Sequence, residues 1–101
     1  MTTFLVTRHA ATRGWIANRG YQEAQVVPHL TAELIAALTQ GDVVIGTLPI
    51  QLIAEVGERG ARYVHLSIDM TPDMRGVELT EADIDRLGGR LEEFKVSRVR
   101  G

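Results

Sequence analysis

The stretch Gly41–Asp69, GDVVIGTLPIQLIAEVGERGARYVHLSID, constrains the fold of this chain more than any other part. Asp42–Thr47 (DVVIGT) is a short apolar run rich in β-branched residues, the composition of a strand buried on both faces. Leu48–Arg59 (LPIQLIAEVGER) changes period: its apolar residues Ile50, Ile53, Ala54 and Val56 fall on one helical face. Pro49 stands where a first helical turn tolerates it, since the N–H it lacks would go unpaired there. Gly60 supplies the left-handed residue that ends such a helix, and Ala61–Ile68 (ARYVHLSI) is the next strand. Strand, helix and strand within about 30 residues make a βαβ unit, whose crossover is right-handed almost without exception.

The rest of the chain extends that unit. Thr3–Thr7 predicts a first strand, about Ala10–Asn18 a short helix containing Gly14, and Gly20 its cap. A second strand, Ala24–Val27, ends at Pro28; Thr31–Thr39 (TAELIAALT) is a helix capped by Thr31 and closed by Gly41. After the loop MTPDMRGVEL, Thr80 and Asp83 form a capping box for a last helix. Gly88-Gly89 breaks or kinks that helix, and the end, KVSRVRG, is expected to fray. Arg86, Arg90, Lys95, Arg98 and Arg100 read as its solvated face. The order β-α-β-α-β-α-β-α predicts a single α/β domain over residues 1–101, with a small, mostly parallel four-stranded sheet and helices on both faces.

Bulk properties narrow the function. With 101 residues there is room for one core. A net charge of −2 gives no broad basic field of the kind that binds duplex nucleic acid. The absence of cysteine excludes disulfides, thiol nucleophiles and cysteine-ligated zinc. No apolar run approaches the ~18 residues of a membrane span, and the start lacks the layout of a signal peptide, so the expected location is the cytoplasm. GDVVIGTLP lacks the glycine-lysine-serine/threonine ending of a Walker A loop and the three spaced glycines of a dinucleotide fingerprint.

Open α/β sheets bind ligands at the carboxyl ends of their strands. The first loop there carries Thr7, Arg8 and His9; the third strand ends at Gly46, Thr47 and Leu48; the fourth ends at Ser67 and Asp69, with Arg75 in the following loop. Arg8 can grip a phosphate through two parallel hydrogen bonds, and His9 suits general acid or base work. Thr7 and Thr47 add hydroxyl donors, Gly46 allows close backbone approach, and the following helix start favours an anion. The same residues have plainer readings: Arg8 as a surface arginine, His9 as a cap. Trp15 reads as core, cleft wall or a surface that stacks on a base. His65 alternates with apolar residues and reads as a satisfied structural histidine, and His29, after Pro28, as an exposed turn residue. Three histidines without a compact spacing give no metal signature.

Two families share parts of this pattern. FLVTRHAATRGW resembles the arginine-histidine-glycine motif of histidine phosphatases, although Ala10 replaces the glycine and Thr7 interrupts the usual valine-arginine step. That family also has a second catalytic histidine far downstream, for which His65 is the candidate. TFLVTRHAATRGW, the Gly41–Asp69 stretch and MRGVELT together are similar, in order and over nearly the whole chain, to a small CRISPR-associated accessory family of type III systems. That family resembles stand-alone ring nucleases, and the resemblance implies a small Rossmann-like fold similar to the CRISPR-associated domains that sense cyclic oligoadenylates. The resemblance implies metal-independent cleavage of cyclic tetra-adenylate by attack of a ribose 2′-OH, leaving linear adenylates with a 2′,3′-cyclic phosphate and switching off the antiviral response. It implies no cofactor and a homodimer that reads the ring with twofold symmetry. On chemical grounds Arg8 and His9 are then the catalytic candidates; Thr7, Trp15, Gly46, Thr47, Gln51 and Arg75 are the ligand-binding ones. A binding protein that sequesters the ring without cutting it is the alternative.

Overall fold

The computed structural model describes residues 1–99. Its sheet has five strands: β1 (Thr3–Val6), β2 (Gln25–Val27), β3 (Val43–Gly46), β4 (Arg62–Ser67) and β5 (Arg90–Phe94). They lie in the order β2-β1-β3-β4-β5. The first four are parallel, and β5 runs antiparallel to β4 with Leu66 opposite Leu91. Four helices connect them: α1 (Ala10–Ile16), α2 (Ala32–Ala37), α3 (Ile50–Glu58) and α4 (Glu81–Arg86). The architecture is the small, mostly parallel Rossmann-like sheet with helices on both faces that the sequence predicts, enlarged by one strand.

The two sheet faces are buried by different helices, and the strand residues alternate accordingly. Leu5, Ile45, Val64 and Leu66 point to one side, where they meet Trp15 and Ile16 of α1 and Ile84 of α4. Val44 and Tyr63 point to the other, against Ile53 and Val56 of α3 and Leu38 at the end of α2. Burial on both faces is why β1 and β3 read as continuous apolar runs rather than alternating ones. Between α1 and α4 the apolar contact carries a polar clasp. The Trp15 indole N–H donates to Asp85 at 2.8 Å, Arg19 donates to the same carboxylate oxygen at 2.8 Å, and its guanidinium lies 3.8 Å over the Trp15 ring.

The fifth strand corrects the reading of the C-terminal part. The capping box forms as expected, with Thr80 Oγ1 accepting from the Asp83 N–H and Asp83 accepting from the Thr80 N–H. The helix nevertheless stops at Arg86. Gly88 turns the chain at φ +72°, and Gly89 passes so close to the Ile84 carbonyl that a Cβ there would lie 2.8 Å from its oxygen. The chain thereby reverses and pairs with β4. Arg90 thus belongs to a strand, while Lys95 and Arg98 follow it; none of the three is on a helix, and Arg98 pairs with Glu58 at 3.1 Å. Arg100 lies outside the described residues. Smaller differences concern ends: α3 begins after Pro49 rather than including it, and α2 ends before Leu38.

Asp42, read as the first residue of a strand, is instead a buried carboxylate just before β3. It accepts the Thr2 N–H at 2.9 Å, the Thr39 N–H at 2.9 Å and the Thr39 hydroxyl at 3.2 Å, tying the N-terminus to the turn after α2. The Thr39 and Thr2 N–H groups hold its carboxyl below the ordinary carboxylate value of 3.8. In the window between that lowered value and 3.8, the unfolded chain binds the extra proton, so stability falls as pH falls. Asp42→Asn is expected to lower the urea midpoint near neutral pH. Its deficit relative to the wild type should be constant above the carboxylate range and shrink as pH drops below 3.8. A deficit that does not change with pH in that window would show that the charge of Asp42 does not hold these donors.

Candidate functional site

The strand order reverses at β1: the chain moves from β1 outward to β2, then returns to place β3 on the other side. The connections after β1 and β3 therefore leave in opposite directions, and a crevice opens between them at the carboxyl edge. It is a cleft of about 440 Å³. Thr7, Arg8 and His9 line it from the first loop, Thr47 and Leu48 from the third, and Pro28 and His29 from the loop after β2. Its lining holds an arginine, two histidines and no carboxylate, among the described residues, in a chain whose net charge is −2. Such a lining favours an anion.

Backbone hydrogen bonds fix the loops. The Thr7 N–H donates to the Val27 carbonyl at 3.0 Å, extending the β1–β2 pairing one residue past the strands. Thr7 Oγ1 accepts the His9 N–H at 3.1 Å, which bends the loop toward α1. The His9 ring is exposed, with Nδ1 3.6 Å from a Glu78 carboxylate oxygen. Arg8 is exposed at the rim.

The third loop hangs on a buried phenol. The Tyr63 hydroxyl lies 2.9 Å from the Gly46 carbonyl, 3.0 Å from the Leu48 N–H and 2.7 Å from His65 Nδ1. All three are satisfied in one way only: the hydroxyl donates to Gly46 and accepts from Leu48 and from a protonated Nδ1. Burial pushes the phenol up to about 12, so it keeps the proton this arrangement needs. Burial also lowers the His65 pKa, against the pull of Glu92. His65 is thus a hydrogen-bonded structural histidine, as read from its strand position. It does not line the cleft, so it is not placed to serve as the second catalytic histidine of the phosphatase resemblance; the second histidine of the cleft is His29.

The structure brings together Thr7, Arg8, His9 and Thr47, and leaves other candidates apart. Gly46 is buried, and a Cβ there would lie 3.2 Å from the Val6 carbonyl oxygen. Glycine there serves the close approach of β1 and β3. Trp15 is 2% exposed in the α1–α4 core and forms no cleft wall. Gln51 is exposed on α3, and Arg75 follows a 3₁₀ turn, Pro72–Met74; neither lines the cleft. Ser67 and Asp69 are also outside it, the latter paired with Arg90 at 3.2 Å. His29 was the omission. As expected it is exposed, but β2 lies beside β1, and that places it in the cleft. Among the described residues no three histidine or acidic side chains converge as a metal's ligands would, and no helix is long and apolar enough to cross a membrane.

Fold and cleft define a small doubly wound α/β domain with a cationic and imidazole-bearing crevice at its switch point. Residues 4–97 match the model of the family described as "Putative CRISPR-associated protein (Cas_VVA1548)", and the chain belongs to that family. Neither the curated proteins nor the solved structures provide a match.

Removing the Tyr63 hydroxyl tests the anchoring of the third loop. Tyr63→Phe leaves the Leu48 N–H and the Gly46 carbonyl without that partner, which is expected to cost about 1–3 kcal/mol. Faster amide exchange at Leu48 should accompany the loss. An unchanged urea midpoint and unchanged exchange would mean that the hydroxyl does not hold the loop.

Proposed function

We propose that this protein is a ring nuclease of a type III CRISPR system, acting in the cytoplasm on cyclic tetra-adenylate. The observation that supports this reading is the cleft itself. Within a CRISPR-associated family, it gathers Arg8, His9, Thr7 and Thr47 at the carboxyl ends of β1 and β3, with no carboxylate in its lining and Glu78 beside His9 outside it. Attack of a ribose 2′-OH on the adjacent phosphorus forms the O2′–P bond and breaks the P–O5′ bond. Its products are linear adenylates ending in a 2′,3′-cyclic phosphate. Positioning nucleophile, phosphorus and leaving oxygen in line supplies much of the rate. Arg8 neutralises charge that grows on the non-bridging oxygens. His9, with Glu78 beside Nδ1, presents Nε2 to take the 2′ proton.

Size supports a homodimer. A cleft of about 440 Å³ lies low in the range of about 300–1,000 Å³ typical of sites for one drug-sized ligand. A ring of four nucleotides is larger than such a ligand. Two copies related by a twofold axis would present the same loops to both halves of the ring. A solution mass near twice 11.1 kDa and a calorimetric stoichiometry of one ring per two chains are expected. A monomer that binds one ring per chain would remove the shared site.

Incubation of the purified protein with radiolabelled ring in EDTA, followed by chromatography, tests the activity. Cyclic-phosphate-ended products are expected, and Arg8→Ala should slow their formation on the order of 10²-fold or more while weakening binding less. Ring bound but left intact by excess protein would instead make this a sequestering protein. Cleavage that stops in EDTA and returns with a divalent ion would overturn the mechanism.

A further inference from the structure

We infer that His29 is a second catalytic residue, the general acid that protonates the leaving 5′-oxygen while His9 acts as base. The inference rests on the ring-opening reading above and adds to it a residue and a role. In-line displacement needs proton transfer at two atoms on opposite sides of one phosphorus. A single imidazole reaches one of them.

The fold supplies a second imidazole by a simple construction. One backbone hydrogen bond, from the Thr7 N–H to the Val27 carbonyl at 3.0 Å, joins the ends of β1 and β2. His9 lies two residues beyond its donor, and His29 two residues beyond its acceptor. From that shared point the two loops separate, one toward α1 and the other toward α2, and both return a histidine to the cleft. Pro28 fixes one backbone angle immediately before His29. Leu30, immediately after it, packs against the core on the α3 side of the sheet. The loop is thus held on both sides of His29 while the ring itself remains exposed.

The surroundings separate the two roles. A Glu78 carboxylate oxygen lies 3.6 Å from His9 Nδ1, a negative neighbour for the imidazolium that forms when Nε2 takes a proton. No such carboxylate contacts His29 among the described residues. The charged and titratable groups facing the cleft are Arg8, His9 and His29, with Glu78 behind His9; the third loop and α3 contribute only Thr47, Leu48, Pro49 and Leu52. In the step, the 2′-OH proton passes to His9 Nε2 and O2′ bonds to phosphorus. The P–O5′ bond breaks and its electron pair takes the proton of His29. Atoms and charge balance without a further reactant.

The test compares wild type, His29→Ala and His29→Gln in single-turnover cleavage of the cyclic tetra-adenylate ring across pH. A second substrate carries sulfur at the bridging 5′ positions, where the thiolate leaves without being protonated. Wild type should give a bell-shaped profile on the oxygen ring. Both variants should lose its alkaline limb, run on the order of 10²-fold slower or worse, and bind the ring and unfold thermally as the wild type does. On the sulfur ring they should match the wild type. Wild-type rates for the variants on the oxygen ring, or an equal deficit on both rings, would overturn the role of His29 alone. A ring left intact by the wild type itself would overturn the nuclease reading, and this inference with it.

Discussion

The structure depends on β1 having a parallel neighbour on each side. A strand in that position has no free edge and no solvated face, so Phe4, Leu5 and Val6 must all be apolar, and both flanking connections must cross over the sheet. The reversal of strand order at β1 follows, and the crevice follows from the reversal. Close packing at this place also favours glycine at position 46, where a Cβ would crowd the β1 backbone. The cleft is therefore the unfilled end of the most tightly specified part of the molecule.

Polar residues then hold what apolar packing cannot. Each of the two principal loops is fixed by hydrogen bonds that satisfy backbone groups beyond the last ladder bond. Thr7 does this for the first loop and Tyr63 for the third. The Tyr63 hydroxyl reaches its partners only because Gly46 and His65 are paired across β3 and β4, on the same side of the sheet as the phenol. A network of this kind gives a defined shape to a surface feature, as binding sites on rigid scaffolds require.

The parts legible in the sequence were those where one physical signal dominates. The change of period from DVVIGT to the helix carrying Ile53 and Val56, and back to RYVHLS, marked the βαβ unit to within a residue or two. Gly88 and Gly89 were read as a break, and a break occurs there. What followed was missed because RLEEF has charges on both sides of the strand: Glu93 on one, Arg90 and Glu92 on the other. Glu93 and Arg90 are matched by Arg62 and Asp69, residues far away in the chain, and Glu92 by Arg90 beside it. The first, third and fourth loops were placed together because all three follow parallel strands and so fall at one edge of the sheet. His29 was not, because its place in the cleft depends on β2 lying beside β1, and no local pattern around PHL encodes strand order. Asp69 and Arg75 fall outside the cleft for the complementary reason, since β4 lies a full strand beyond the crevice. Trp15 offered three readings from sequence, and its burial against Ile84, with Asp85 and Arg19 as partners, decides among them.

The outer strand β5 has an effect on how molecules of this protein meet. An exposed strand is a template on which another chain can crystallise its own backbone hydrogen bonds, and sheets with open edges polymerise by that route. Here the template is short and charged: Arg90, Glu92 and Glu93 occupy three of its five positions. A second copy aligned antiparallel about Glu92 would set that carboxylate against its own counterpart, a like-charge pair directly opposed across the strands. The sheet is thus terminated electrostatically on this side, and copies that associate are discouraged from growing into a continuous ribbon.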